Sequence, residues 1–380
     1  MESLRYRKEI RKISTLVVKV GSRILTANDN IPSTVRIRGL VNAIARLQRS
    51  GVRTLLVSSG AIAQGMRALE LTKRPKSIPH KQACASIGQI RLMHIYESYF
   101  SRYKIPIGQV LLTWDDLRNK KRYLNLRNTL FHLFTCGAVP IINENDSVGV
   151  EEIRFGENDT LAAQISMLIQ ADVFVNLSDI NGLYDSNPKL HPEAKHIPLV
   201  TRMSPSLFKC ASESTTEISV GGMITKLRAA DTVTKAGICA IIGDGFTRGL
   251  LDVLKDPAAG TIFLPSPKIM PSKSRWIAFT GASEGSVFVD EGARTAVVEK
   301  GKSLLPAGVK KVAGSFKEGA MVDVRLEESG KVIARGLCNY SSAEIEKIMG
   351  CKTAEIGERL CLEQKAFDEV IHRDNMVVIE

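Results

Sequence analysis

The segment TLVVKVGS, residues 15–22, sets Thr15, Leu16, Val17, Val18 and Val20 in one run and stops at Gly21-Ser22. A near-continuous apolar and β-branched run of this length, closed by glycine, reads as a strand buried on both faces, as strands are inside a parallel sheet. Similar runs recur outward from it at Arg53–Val57, Ile107–Leu112, Val139–Asn143, Val173–Leu177 and Ile238–Ile242. Between them, Ser33–Arg49, His80–Tyr103, Lys120–Cys136, Asp159–Gln170 and Gly222–Ala236 carry apolar residues three and four apart. This alternation predicts an α/β fold with an open, mainly parallel sheet sandwiched by helices.

At 380 residues and 44% apolar composition, the chain is long enough for two or three domains. The stretch DPAAGTIFLPSPKIMPSKSR, residues 256–275, concentrates proline and serine with little periodicity and reads as a connection. Beyond it, short alternating runs punctuated by glycine, among them VRLEESGKVIARG with a turn at Ser329-Gly330, predict a small β-rich domain. The expected boundaries are a first domain over 1–260, a linker over 261–284, a β-rich domain over 285–366 and a tail over 367–380. The net charge is +12, but residues 286–380 carry 14 Lys and Arg against 16 Asp and Glu, so the basic excess belongs to the first domain.

Seven cysteines, an odd number without a CxxC pair, read as reduced cytoplasmic thiols. Six scattered histidines show no spacing suited to zinc, so no protein-held transition metal is expected. The apolar stretch from Ile165 to Leu177 is broken by Ser166, Gln170 and Asp172, well short of the roughly 20 clean residues of a membrane helix, so no membrane span is expected.

Five segments can carry chemistry. In VVKVGS, Lys19 and the Gly21 backbone lie at the carboxyl end of a strand, where open α/β sheets bind ligands. In VSSGAIAQG, residues 57–65, Ser58 or Ser59 can cap a helix whose amides favour an anion. PIINENDSV at 140–148 and FGENDTLAA at 155–163 repeat an END tripeptide ending on Asp146 and Asp159, with amides and carboxylates suited to a substrate that carries both charges. NLSDINGLYDSNP at 176–188 brings Ser178, Asp179 and Tyr184 to a strand end and suits the edge of a nucleotide pocket. Finally, SVGGMITKLRAA at 219–230 places Gly221, Gly222 and Met223 ahead of Thr225 and Lys226 at a helix start, a phosphate cradle distinct from a Walker A loop.

Taken in this order, together with VDEGA, KSLLPAGV and HRDNM further on, the segments resemble the amino-acid kinase family over nearly the whole chain. The resemblance implies ATP-dependent phosphorylation of the L-glutamate side-chain carboxylate, with Mg²⁺ accompanying ATP. It implies that Lys19, Lys226 and Asp159 are catalytic, with Asp159 orienting the lysines. It assigns Lys19, Ser178, Asp179, Gly221, Gly222, Met223, Thr225 and Lys226 to ATP, and Ser59, Asp146 and Asn158 to glutamate. It further implies proline as a feedback inhibitor and a homo-oligomer, dimer or tetramer. Glu157 and Val220 stand where the family usually has aspartate and threonine.

The C-terminal stretch resembles a PUA domain, a module that binds RNA in other proteins. Its net charge of −2 over residues 286–380 argues against a phosphate-tracking surface and for a structural or regulatory role.

Overall fold

The computed structural model of the chain describes residues 13–26, 33–149, 157–188, 190–212, 222–266, 277, 283–360 and 367–379. The chain divides near residue 270 into two compact units.

The first unit is built on strands β1 (Thr15–Val20), β2 (Arg53–Ser58), β3 (Ile107–Leu112), β4 (Val139–Glu144), β5 (Val173–Ser178), β6 (Leu183–Tyr184), β7 (His196–Ile197), β8 (Leu199–Val200), β9 (Cys239–Asp244) and β10 (Thr261–Phe263). Eight of them form one sheet in the order β3-β4-β2-β1-β5-β9-β10-β8, while β6 and β7 pair as a separate ribbon. Its ladders are parallel except for β9 with β10. Every residue of β1 is buried, and Leu16, Val17, Val18 and Val20 are fully so. Burial of such side chains contributes about 1.5–3 kcal/mol each, and it places β1 at the sheet centre as its composition predicts.

The helices that matter for the site are α1 (Ser33–Arg49), α2 (Ala61–Ala68), α3 (Ile78–Phe100), α4 (Lys120–Thr135), α5 (Glu157–Leu168) and α6 (Met223–Lys235). In α1 the buried residues Ile37, Leu40, Val41 and Ile44 follow the three-and-four spacing of one helix face. Helix α5 begins two residues before the expected start, so Asn158 and Asp159 both lie in its first turn. Helix α3 ends at Phe100, and a 3-10 turn over Ser101–Tyr103 closes on Lys104 in the left-handed region.

Helices α2 and α3 touch backbone to backbone. A Cβ added at Gly65 would lie 1.8 Å from the Cys84 carbonyl oxygen, and one at Gly88 would lie 1.8 Å from that of Ala61. Only glycine permits that approach.

The second unit contains β11 (Gly285–Val289), β12 (Val309–Ala313), β13 (Met321–Leu326), β14 (Val332–Leu337) and β15 (Met376–Val378), in the sheet order β12-β11-β13-β14-β15. Strands β13 and β14 are antiparallel around the expected turn, with Gly330 at φ 66°. The apolar interior is built from Val287, Val289, Val322, Val324 and Ile333, and the buried Asp323 carboxylate is held by Arg325 and Arg335.

Two expected boundaries change. Residues 261–263 are not linker: β10 lies in the first sheet, Ile262 and Phe263 are fully buried, and the Thr261 hydroxyl donates to the Ile197 carbonyl at 2.6 Å. Residues 376–378 are not a loose tail, because β15 pairs antiparallel with β14 and Val377 is buried. Both are three-residue strands, too short for periodicity to mark, and their pairing comes from distant segments.

Replacing Gly88 by alanine is expected to destabilise the chain by at least about 1–3 kcal/mol, the cost of overpacking a tight contact. Urea unfolding of Gly88→Ala against wild type checks this, and an unchanged midpoint would contradict the close approach.

Candidate active site

From β1 the chain runs to β2 and β4 on one side of the sheet, then returns to β5 on the other, so a topological switch point lies between β1 and β5. The cleft above the carboxyl ends at such a point is where open α/β sheets bind ligands. Lys19, the penultimate residue of β1, stands there in register with Asn176 of β5. Asp159 reaches the same place from the first turn of α5, and Lys226 from the first turn of α6.

These three side chains form one buried cluster. Lys19 Nζ lies 2.5 Å from Asp159 Oδ1, and Lys226 Nζ lies 3.8 Å from Oδ2. The Thr225 hydroxyl donates to Oδ2 at 2.7 Å, and Asn176 Nδ2 donates to Oδ1 at 2.9 Å. Residue exposures are 6% for Lys19, 1% for Asp159 and 7% for Lys226. Burial pushes the Asp159 carboxyl up, but the two ammonium charges and the hydrogen bonds outweigh it and hold the group at about 2. For Lys226 burial is the largest influence and lowers its pKa. Asp159 works against that, Lys19 adds to it, and Asp179 opposes it, and the net result is downward.

Two lysines share one carboxylate, so these three side chains together hold one more positive than negative charge, with Asp179 near enough to act on Lys226. The N-termini of α5 and α6 add their partial positive charge to the same region. An anion inserted here replaces the missing negative charge. Such a charge balance suits a phosphate group.

On the other side of Asp159, its neighbour Asn158 donates from Nδ2 to Ser59 Oγ at 2.8 Å and to Asn143 Oδ1 at 3.1 Å. Because Ser59 Oγ accepts there, its own O–H remains able to donate to a ligand. Asn158 Oδ1 is buried without a hydrogen-bond partner, an acceptor that calls for an N–H donor.

Neither serine of VSSGAIAQG caps α2, contrary to the expectation. The cap position is Gly60, at φ 103°, with no side-chain cap. Ser58 instead bonds the Tyr96 hydroxyl at 2.9 Å, and the left-handed glycine turns the chain so that Ser59 faces Asn158. Asp146 lies in the turn directly after β4, where the Val148 and Gly149 amides both donate to the Asn145 carbonyl.

Ser178 and Asp179 close the carboxyl end of β5. The Ser178 hydroxyl donates to Asp179 at 3.2 Å, and Asp179 pairs with Arg23. Gly222 caps α6 and Met223 is its first residue, buried at 8% exposure. Tyr184 sits on the β6–β7 ribbon with its ring 5.3 Å from that of His196. Gly221, Val220 and the side chain of Glu157 lie outside the described residues. Thus Lys19, Asp159, Thr225 and Lys226 come together in one cluster, and Ser59 and Asn158 in an adjoining one.

Asn143 and Asn176 lie within PIINENDSV and NLSDINGLYDSNP without a role expected of either, and Gln89 lies outside every such segment. The signal for Asn176 was a polar residue inside the fully buried strand VFVNLS. Gln89 sits within a long helix, and its partner Asn143 is 54 positions away.

A sequence profile of the amino acid kinase family matches residues 14–244, more than half of the chain. The chain belongs to the amino acid kinase family. Outside that kinase segment, residues 285–360 match a PUA domain. Similar relatives include the glutamate 5-kinase of Thermoanaerobacter sp. (strain X514), 46% identical over 366 residues, which span 96% of this chain and 98% of the relative. The glutamate 5-kinase of Syntrophotalea carbinolica is 45% identical over 370 residues, 97% of this chain and 98% of that one. Among solved structures, carbamate kinase from Giardia lamblia bound to AMP-PNP is 13% identical, with a TM-score of 0.47 over 66% of this chain and 98% of that chain.

Among the described residues, no group of three His, Cys, Asp or Glu side chains is placed to hold a metal ion, and no helix is long and apolar enough to cross a membrane.

Because the folded-state pKa of Asp159 is depressed from 3.8 to about 2, its ionisation stabilises the fold above about pH 4. That stability, on the order of 2 kcal/mol, is lost as pH falls toward 2. Asp159→Asn removes this part of the acid dependence and leaves two buried ammonium groups with no carboxylate between them. The expected loss near neutral pH is about 3–5 kcal/mol, read from urea unfolding at several pH values.

Proposed function

We propose that this chain transfers the γ-phosphoryl group of ATP to the side-chain carboxylate of L-glutamate, giving L-glutamyl 5-phosphate and ADP, the first step of proline synthesis. The observation that carries the reading is the buried Lys19–Asp159–Lys226 cluster with its excess positive charge. The near full-length similarity to glutamate 5-kinases supports the choice of acceptor.

A carboxylate acceptor is already ionised at neutral pH, so no general base is required. The work left to the protein is to align two anions and to neutralise charge as the phosphoryl group moves between them. Lys19 and Lys226 supply positive charge at that point, and Asp159 fixes both ammonium groups without cancelling them. Their near-complete burial strengthens each interaction with a phosphoryl oxygen relative to the same contact in water.

On the acceptor side, the Ser59 O–H is a donor for a glutamate carboxylate, and Asn158 Oδ1 is an acceptor for its ammonium group. Asp146 adds a negative charge at the end of β4. On the nucleotide side, Ser178, Asp179, Gly221, Gly222, Met223 and Thr225 are proposed to surround ATP. The carboxylates near the cluster are engaged, Asp159 with the two lysines and Asp179 with Arg23. This donor set fits a Mg²⁺ ion held by phosphate oxygens and water. When bound with ATP, Mg²⁺ supplies further neutralisation of phosphate charge.

The same reading makes the protein a cytoplasmic homo-oligomer and proline a feedback inhibitor that resembles the acceptor at its α-amino acid end. Proline titration of the glutamate-dependent rate and light scattering of the purified chain test these two points.

Glutamate-dependent ADP release with Mg²⁺ is the deciding assay. Lys19→Ala and Lys226→Ala are each expected to lower turnover by about two to three orders of magnitude while the chain stays folded, because the remaining lysine still pairs with Asp159. Full activity in either variant would sink the mechanism.

A further inference from the structure

The polar residues of helix α3 are not accounted for by the phosphoryl-transfer cluster. Gln82, Ser86, Gln89 and Tyr96 are spaced four, three and seven residues apart and therefore share one face of the helix. That face meets the ends of β2 and β4. Gln82 Nε2 donates to the Gly149 carbonyl at 3.1 Å, and the Ser86 and Ser147 hydroxyls lie 2.7 Å apart. Gln89 Oε1 accepts from Asn143 Nδ2 at 3.0 Å, and the Tyr96 hydroxyl meets Ser58 Oγ. The first two contacts pin the turn that carries Asp146. The last two hold the residues beside Asn158 and Ser59.

Gln89 occupies the decisive position. It is 8% exposed, and its partner Asn143 is 2% exposed. An amide side chain has a donor end and an acceptor end, and hydrogen bonds choose which way it faces. With Gln89 Oε1 taking the Asn143 NH₂, Asn143 must present Oδ1 to Asn158. Asn158 must then turn its own NH₂ toward Asn143 and Ser59, and its Oδ1 is left as the buried acceptor without a partner. The close approach at Gly88 locks the backbone beside Gln89 against α2, so the start of this chain of amides is fixed to the helix that follows Ser59.

We propose that Gln89 is a positioning residue for the acceptor pocket. Through Asn143 it sets the orientation of the Asn158 amide and so makes the pocket select a ligand ammonium group. This rests on the function proposed above. Gln89 does not touch the substrate, and the nucleotide side of the cluster is independent of it.

The test compares the wild-type chain with Gln89→Met, Gln89→Glu and Ser86→Ala, measuring KM for glutamate, KM for ATP, kcat and the melting temperature. Gln89→Met keeps the volume and removes the acceptor, and it is expected to raise the glutamate KM about tenfold with the ATP KM unchanged within about twofold. Gln89→Glu retains only acceptor oxygens at that point and is expected to restore most of the glutamate affinity. Ser86 is exposed, so Ser86→Ala folds in any case. Through the loosened Asp146 turn it is expected to raise the glutamate KM about threefold.

An unchanged glutamate KM in Gln89→Met overturns the proposal. So does an equal rise in both KM values, or equal damage in Gln89→Met and Gln89→Glu, since each of these assigns Gln89 to packing alone. Should Gln89→Met not fold, Gln89→Ala takes its place: a glutamate KM raised with the ATP KM unchanged supports the proposal, and an unchanged glutamate KM overturns it. A wild-type chain that releases no ADP with glutamate defeats the functional reading itself, a result distinct from an active wild type with an unaffected Gln89→Met.

Discussion

One carboxylate holding two ammonium groups is the constraint around which the kinase unit is arranged. Asp159 is nearly inaccessible, as are Lys19 and Lys226, and each comes from a different element. A buried ion must be paired and hydrogen-bonded to be tolerated, so β1, α5 and α6 have to meet with their termini aligned. Asn176 and Thr225 occupy further lone pairs of the same carboxylate. The pairing is deliberately incomplete in charge, and the surplus positive charge is what a phosphoryl group can answer.

The amide cluster beside it is organised by different physics. Ser59, Asn143 and Asn158 are neutral, and their arrangement depends on which end of each amide donates. Such a chain is sensitive to its first member and to the rigidity of the element bearing it. Helix α3 meets both conditions because Gly65 and Gly88 bring α2 and α3 to backbone contact, and neither helix can slide without breaking it. The charged cluster and the amide cluster are thus supported by different elements that converge on adjacent residues, Asn158 and Asp159.

Much of this was legible in the sequence. The strands that build the sheet centre are strongly apolar, and β1 and β3 match their expected bounds. Helix α1 does so as well, because its apolar face repeats cleanly over 17 residues. Lys19, Asp159 and Lys226 stood out because charged residues at the end of a buried strand or the start of a helix are placed for chemistry. The serine cap of α2 was misread for a local reason: Ser58 and Ser59 are good capping residues, but Gly60 in the left-handed region sends their hydroxyls to Tyr96 and Asn158 instead. Strands β10 and β15 were assigned to linker and tail because three residues carry no period.

By itself, the amino-acid sequence determined the alternation of strands and helices, the division into a kinase part and a β-rich part, and the identity of the charged residues at the strand ends. These follow from local patterning, in which each residue's role is set by neighbours a few positions away. The family resemblance implied that Asp159 orients the two lysines; only the tertiary structure decided that one buried carboxylate pairs with both at once, that Asn176 supports it, and that Gln89 reaches Asn143. Those contacts join positions 17 to 140 residues apart, and the order of strands in the sheet brings them together.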